Sequence, residues 1–147
     1  MIALSDPAST EAFGRSLARA LRAGDVVALF GSLGAGKTTL ARGILHGLGF
    51  RGEVASPTFP IVLSYEPPET RLSVRHVDLY RIEDPGELEE LGLDEGRTEG
   101  VLLIEWPERL PASWPDALRL TLTSAEGGGR ALTAQVPAAW GARWPPR

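Results

Sequence analysis

A chain of 147 residues, 43% of them apolar and 23% charged, has the size and composition of one globular domain. Its formal net charge of −4 argues against the basic stripe with which dedicated nucleic-acid-binding proteins neutralise phosphates. The absence of cysteine excludes disulfides, thiolate zinc sites and cysteine nucleophiles, and two histidines are too few for a histidine-rich metal centre.

The amino terminus shows no basic patch followed by an apolar core, so no secretory signal is indicated. No apolar run approaches the roughly 20 residues that are needed to span a bilayer. We therefore expect a soluble, cytoplasmic protein with no membrane partner. A single domain is expected over residues 1–147, with an irregular tail rich in Pro and Trp at about residues 138–147.

The amino-terminal third predicts a helix, a buried strand and a second helix. Ser9 or Thr10 is the candidate N-cap of the first helix, whose apolar residues recur at helical spacing until Gly24-Asp25 ends it. The continuous apolar run Val26–Phe30 is typical of a buried parallel strand. A glycine-rich loop follows this strand, and residues 37–48 form the second predicted helix.

The rest of the chain has mostly β character. The predicted elements are a hairpin of residues 58–65 and 72–80, an acidic helix over 84–91, a buried strand over 100–106, and a hairpin of 118–123 and 131–136. Strand–helix–strand units in series imply a mostly parallel sheet with helices on both faces. The expected fold is therefore three-layer α/β, with added antiparallel strands.

The glycine-rich loop Gly31-Ser-Leu-Gly-Ala-Gly-Lys37-Thr38 matches the complete pattern G-x-x-x-x-G-K-S/T of a phosphate-binding P-loop. Its glycines let successive backbone N–H groups point at phosphates, and the helix that follows adds partial positive charge. In this pattern the lysine reaches the β- and γ-phosphates and the hydroxyl after it binds magnesium. The candidate nucleotide-binding residues are Gly34, Ala35, Gly36, Lys37, Thr38 and Thr39. The alternative, a glycine-rich turn with a chance lysine, is disfavoured by the apolar strand before the loop and the amphipathic helix after it.

Glu105 directly follows the apolar run Val101–Ile104. Because ligands bind at the carboxyl ends of the strands in such sheets, an acid at this position is expected beside the phosphate loop. Glu105 is thus the first candidate for holding magnesium, directly or through a water. The alternative is an acid on the surface at the end of a strand.

Asp78 lies in the run H-V-D-L-Y-R, in which alternation places His76, Asp78 and Tyr80 on one face of a strand. A second carboxylate near the γ-phosphate could orient the water that attacks it. An Asp on the exposed face of an edge strand, paired with Arg75 or Arg81, is an equally good interpretation.

Thr58 lies in S-P-T-F, in the first connection after the P-loop helix. In nucleotide switches such a segment can carry a hydroxyl that senses the γ-phosphate and magnesium. A β-turn with a capping Ser explains the same residues. His76 alone is interpreted as structural, and Trp106 as a core residue, a ring over the nucleotide or an interface anchor, of which core is the commonest.

Four motifs occur in the order G-S-L-G-A-G-K-T-T-L, S-P-T-F, H-V-D-L-Y-R and I-E-W-P-E-R. Together they resemble the TsaE family, the bacterial ATPase needed to make threonylcarbamoyladenosine beside the anticodon of certain tRNAs. The resemblance runs from about Thr10 to Arg130. It implies a P-loop α/β fold, ATP and Mg²⁺ as cofactors, and slow, partner-dependent ATP hydrolysis. The implied partners are the proteins TsaD and TsaB, with tRNA met only indirectly.

The resemblance also implies the roles of individual residues. Catalytic roles fall to Lys37, Asp78, Glu105 and Thr58, and metal binding falls to Thr38 and Glu105. Arg130, after the glycine turn, matches a late arginine near the nucleotide, and residues 7–10 border the adenine. The preference for ATP over GTP rests on this resemblance, since the chain has no N-K-x-D guanine signature.

Two other functions are compatible with the P-loop. A small-molecule or nucleoside kinase would use the same phosphate site, although the arginines of this chain are scattered rather than grouped in a lid. A nucleotide-dependent binding module would use S-P-T-F as its moving segment and the tail as a docking element.

Overall fold

The computed structural model describes the chain except for residues 33–34, 55–61, 81, 83–85, 87–89, 91, 94–98, 107–114 and 147. The described helices are α1 (Pro7–Ala18) and α2 (Lys37–Gly47). The strands are β1 (Ile2–Leu4), β2 (Val26–Phe30), β3 (Val62–Tyr65), β4 (Ser73–Asp78), β5 (Gly100–Glu105), β6 (Leu118–Ser124) and β7 (Arg130–Gln135). A 3₁₀ segment follows at Ala138–Arg143.

All the described strands form one seven-stranded sheet in the order β1-β7-β6-β2-β5-β4-β3. Its centre, β6-β2-β5-β4, is parallel. The strands added at its two sides, β3 on one and β7 with β1 on the other, pair antiparallel with their neighbours. The predicted α/β class, the parallel centre and both predicted hairpins are therefore confirmed.

The parallel strands are buried on both faces, which explains why they read as continuous apolar runs. In β5, Val101 and Leu103 belong to the core that contains α1 and α2. Leu102 and Ile104 point to the opposite face and pack in a second core with residues from the segment that follows β4, including Leu93. Alternation along one strand thus supplies both cores.

Helices α1 and α2 pack at backbone contact. A Cβ atom added to Gly43 would lie 2.2 Å from the carbonyl oxygen of Glu11, and one added to Gly14 would lie 2.6 Å from that of Leu40. The two glycines therefore permit a close approach that no larger residue allows. Because α2 begins at Lys37, within the P-loop motif, this contact fixes α1 relative to the loop.

Two predictions about α1 are wrong. The N-cap is Asp6 rather than Ser9 or Thr10, and its side chain accepts a hydrogen bond of 2.7 Å from the backbone N–H of Ser9. Asp6 is the better N-cap because Pro7, at the first helical position, has no N–H to satisfy. The helix also ends at Ala18, before the predicted stop at Gly24.

The carboxyl-terminal segment is more ordered than the sequence predicts. Its 3₁₀ segment buries Trp140 to 2% exposure, and the ring of Trp144 meets that of Phe13 edge-on at 6.0 Å. Arg143 Nη1 and Nη2 lie 2.7 and 3.2 Å from the carboxylate oxygens of Asp25. The expectation of an irregular tail fails here because Trp and Arg side chains anchor a segment that has no periodic pattern.

Some predicted elements fall outside the described residues in part. Residues 58–61 of the first predicted hairpin lie outside the described residues. Of the predicted acidic helix, Gly86 and Glu90 are described, and both are helical. The strand β1 was not predicted, because three residues are too few to show alternation. Within the described part of the chain, no helix combines the length and apolarity required to cross a membrane.

Candidate functional site

The glycine-rich loop leaves β2, which lies between β5 and β6 in the sheet. Gly31 has φ +146°, and a Cβ atom there would lie 2.8 Å from the carbonyl oxygen of Leu122. Gly36 has φ +104° and is the N-cap of α2, without a side-chain capping bond. The first N–H groups of α2 therefore keep their capacity to bind an anion at this end of the loop.

Lys37 is the chain's one lysine, and only 5% of it is exposed. Its Nζ donates a hydrogen bond of 2.7 Å to the carbonyl oxygen of Gly31, and it lies 3.4 Å from the centroid of the Trp106 ring. An ammonium group carries three donors, so the bond to Gly31 uses one of them. The ammonium is thus held over the loop whose N–H groups would surround a phosphate.

Glu105 and Thr38 meet at the same end of the sheet. Glu105 is the last residue of β5, pairs in register with Leu29 of β2, and is 3% exposed. The Thr38 hydroxyl donates to Glu105 Oε1 at 3.4 Å. Magnesium takes oxygen ligands at about 2.1 Å in octahedral geometry, which places adjacent ligands about 3 Å apart. The two oxygens therefore fit a magnesium site in chemistry and spacing.

Asp78 is the last residue of β4, and it pairs in register with Glu105 of β5. It is 6% exposed, and its Oδ1 accepts a hydrogen bond of 2.8 Å from the backbone N–H of Tyr80. The alternative of an Asp exposed on an edge strand is wrong, because β4 lies inside the sheet between β5 and β3. Two buried carboxylates therefore lie side by side at the carboxyl ends of the parallel strands, the same end of the sheet at which the P-loop leaves β2.

His76 was missed as a site residue by the sequence interpretation. It is fully buried, and its Nε2 lies 2.6 Å from Glu105 Oε2. The signal in the sequence was its position two residues before Asp78, on the same face of β4. That signal acquires meaning only once β4 and β5 are known to be neighbours.

Two aromatic rings cover the site. Trp106 has φ +61°, and among the described residues it alone, apart from glycines, has a positive φ. Such a conformation costs on the order of 1–3 kcal/mol for a bulky residue. The Trp106 ring packs at 4.8 Å from that of Tyr80, which is 46% exposed. Trp106 also borders the second core, so it combines the core position with a position over Lys37.

A cavity of about 130 Å³ opens beside the P-loop, between the start of α1 and the β6–β7 turn. Its lining includes Pro7, Thr10, Gly36, Thr39, Gly129 and Arg130. Arg130 Nε donates a 3.0 Å bond to the Ala35 carbonyl, which ties the guanidinium to the loop. The structure therefore brings together residues 7–10, Thr39 and Arg130, which the sequence interpretation placed around a nucleotide.

Asp6 also lines this cavity. Hydrogen bonds from Ser9, first from its side chain and then from its backbone N–H, hold the pKa of Asp6 below its ordinary value of 3.8. Its carboxylate therefore remains charged at neutral pH at the start of α1. Two predicted site residues, Gly34 and Thr58, lie outside the described residues, and their roles stay predictions.

Comparison with known proteins identifies the family. Residues 4–132 match the family model for threonylcarbamoyl adenosine biosynthesis protein TsaE. The chain is 46% identical over 116 residues to tRNA threonylcarbamoyladenosine biosynthesis protein TsaE of Streptomyces coelicolor, with 78% of each chain covered. It is 39% identical over 130 residues to the protein of that name from Bacillus subtilis, which covers 87% of this chain and 80% of the relative.

Similarity extends to a solved structure. The crystal structure of Bacillus subtilis YdiB superposes with a TM-score of 0.75 at 30% identity, over 95% of this chain and 86% of that one. The family match includes the P-loop, both carboxylates and Arg130. The chain belongs to the TsaE family of threonylcarbamoyladenosine biosynthesis proteins.

Proposed function

We propose that this protein is a magnesium-dependent ATPase that acts with the TsaD and TsaB proteins when they modify tRNA with threonylcarbamoyladenosine. One observation carries the proposal: the Thr38 hydroxyl lies 3.4 Å from the Glu105 carboxylate at the mouth of a P-loop. Asp78 stands on the adjacent strand, in register with Glu105. This donor set matches the protein ligands of magnesium in P-loop NTPases.

Lys37 and the start of α2 bind the β- and γ-phosphates in this proposal. The bond from Lys37 Nζ to Gly31 places the ammonium on the loop before nucleotide arrives, so little reorganisation is needed. Thr38 and Glu105 would hold the metal, which would neutralise charge on the γ-phosphoryl group as it is transferred to water and on the ADP that leaves. Loop, lysine and carboxylate thus act together on one phosphate group.

Asp78 is proposed to orient the attacking water. Its Oδ1 is fixed by the N–H of Tyr80, so the plane of the carboxylate is set by the backbone. Glu105 alongside it is engaged by His76 and Thr38, which supports the proposal that Glu105 serves as the metal ligand. A water held at Asp78 would stand beside the γ-phosphate, as the geometry of in-line transfer requires.

The cavity between Pro7, Thr10 and Arg130 is proposed to receive the adenine and ribose. The cavity opens beside Gly36 and Thr39. In this proposal the α-phosphate of the bound nucleotide lies there, and the ribose and adenine extend from it into the cavity. The assignment of ATP rests on membership of the family. The proposal of TsaD and TsaB as partners rests on the same membership.

Reconstitution tests the proposal. Purified TsaD, TsaB, tRNA, MgATP and an activated threonylcarbamoyl donor are combined with and without this protein, and ATP hydrolysis and multi-turnover tRNA modification are measured. We expect both to depend on the protein and to be lost in Lys37→Ala. The matched control is Arg51→Ala, which removes an exposed cation beyond the far end of α2.

Modification that proceeds equally well without this protein would contradict the proposal. Phosphorylation of a metabolite faster than hydrolysis would identify a kinase instead. Tight ATP binding with negligible turnover, even in the presence of both partners, would identify a nucleotide-dependent binding module.

A further inference from the structure

His76 and Glu105 form an ionisable contact that is almost completely buried. The side chains are 0% and 4% exposed, and Nε2 lies 2.6 Å from Oε2. An apolar side chain of similar volume would fill the position of His76 without the cost of desolvating a polar ring. Packing alone therefore does not account for a histidine there.

The other ring nitrogen fixes the direction of this hydrogen bond. His76 Nδ1 is buried and has no hydrogen-bond partner among the described residues. A proton on Nδ1 would be a buried, unpaired N–H donor, which is rare in folded proteins. The ring therefore carries its proton on Nε2, and His76 donates to Glu105.

The two oxygens of Glu105 then have separate partners. Oε2 accepts from His76, while Oε1 faces the hydroxyl of Thr38. A carboxylate held at one oxygen cannot rotate without breaking that bond. The oxygen on the side of Thr38 is thereby kept toward the P-loop.

We propose that His76 is a positioning residue that orients Glu105 as a metal ligand. The inference rests on the proposed function, since it requires that Thr38 and Glu105 bind the metal. His76 does not touch the nucleotide or the metal in this account. It acts through Glu105 alone, in the way that hydrogen-bond partners of metal ligands commonly set ligand orientation and affinity.

Two variants of His76 separate hydrogen bonding from packing. His76→Gln keeps an N–H donor, and His76→Leu fills the space without one. The dissociation constant for Mn²⁺ is measured from the electron paramagnetic resonance of the free ion, in the presence of a non-hydrolysable ATP analogue. We expect His76→Leu to weaken Mn²⁺ binding about 10–100-fold and His76→Gln to retain most of the affinity.

The chain provides its own control in His46, its second histidine. His46 Nδ1 lies 3.0 Å from Glu11 between α1 and α2, so His46→Leu also breaks a contact between a histidine and a carboxylate, but away from the site. Its Mn²⁺ affinity should equal that of the wild type. Affinity for the analogue without metal should be unchanged in all three variants, because the described hydrogen bonds of the two histidines go to Glu11, Gly52 and Glu105 and not to the P-loop.

Several results would overturn the inference. They are an unchanged Mn²⁺ affinity in His76→Leu, an equal loss in His76→Gln, or a matching loss of metal-free analogue binding. If wild type binds the metal and Glu105→Gln weakens it while His76→Leu does not, only this inference fails. If wild type binds no metal with the analogue, the proposed function fails as well.

A spectroscopic measurement on the wild type covers the case in which His76→Leu does not fold. Long-range ¹H–¹⁵N spectra need to resolve two imidazole rings only, since the chain has two histidines. The expected spectrum shows a proton on Nε2 of His76 in metal-free protein. A ring that carries its proton on Nδ1 and none on Nε2 would contradict the direction of the hydrogen bond on which the inference depends.

Discussion

Single residues decide the shape of the phosphate loop. Gly31 combines a φ of +146° with a Cβ position only 2.8 Å from a backbone oxygen of β6. The first property strains any residue with a side chain, and the second adds a clash that the sheet cannot relieve by moving a flexible side chain. The packing around position 31 therefore requires glycine there, in addition to any requirement from phosphate binding.

Gly31→Ala should destabilise the protein by about 2–4 kcal/mol, the sum of positive-φ strain and overpacking. Gly127→Ala is the matched control, because Gly127 has φ +86° but nothing within 4 Å of an added Cβ. It should cost only about 1–2 kcal/mol. Urea unfolding measures both values. Equal losses would show that the contact with Leu122 contributes nothing.

The residues of the site differ in how far the sequence predicts them. Lys37 and Thr38 follow from a contiguous motif, so local spacing suffices. Glu105 needed the additional rule that ligands bind at the carboxyl ends of parallel strands. Asp78 rested on alternation along its strand, which left an exposed position equally possible. The bond between His76 and Glu105 joins residues 29 positions apart, and it depends on the neighbourhood of β4 and β5, which a single sequence does not reveal.

At the scale of elements, the contact of α1 with α2 connects the proposed adenine cavity to the P-loop helix. Gly43 is the tightest point, with a Cβ position 2.2 Å from the Glu11 carbonyl. The helical spacing of apolar residues predicted both helices. It did not predict their close packing, because a glycine in a helix reads from sequence only as a weak helix former.

Gly43→Ala should destabilise the protein by about 1–3 kcal/mol through overpacking, even though Ala is the better helix former. Ser16→Ala on α1 is the comparison, and it should change stability by less than about 0.5 kcal/mol. Thermal and urea unfolding of both variants provide the measurement. An increase in stability of Gly43→Ala would mean that the helices can separate without cost.

The N-cap of α1 predicts a pH dependence. Hydrogen bonds from Ser9 lower the pKa of Asp6 from 3.8, so the stabilisation that the charged cap gives is fully present above that pH. This stabilisation is lost as the pH falls through the lowered pKa that Asp6 has in the folded protein. Asp6→Asn keeps the cap acceptor but does not titrate. The stability of wild type relative to Asp6→Asn should therefore decline on acidification, and a pH-independent difference would contradict this.

At the scale of the whole molecule, the segment after β7 ties together elements that are distant in sequence. Arg143 bonds Asp25 and the Ala20 carbonyl near the start of β2, and Trp144 reaches α1 through Phe13. The contacts of Arg143 lie at the end of β2 opposite to the P-loop. The α/β class could be predicted because each buried strand is a continuous run of apolar residues. The segment after β7 has only single Trp and Arg side chains that hold it, with no periodic pattern.

Trp140→Ala should lower the free energy of unfolding by about 3–5 kcal/mol, because a ring that is 2% exposed leaves a cavity. MgATP affinity should stay at the wild-type value in protein that remains folded. Val136→Ala, at a side chain that is 38% exposed, should cost less than about 0.5 kcal/mol. A loss of nucleotide affinity in folded Trp140→Ala would show that this segment communicates with the site.

Calorimetric titration of ATP into wild type and Lys37→Ala, in the presence of Mg²⁺, tests the central claim most directly. We expect one ATP bound per wild-type chain and an affinity in Lys37→Ala that is lower by on the order of 10²-fold, since a buried charge-assisted contact with phosphate is lost. Arg51→Ala should bind like the wild type. Wild type that binds no ATP, or Lys37→Ala that binds it as tightly as wild type, would contradict the account.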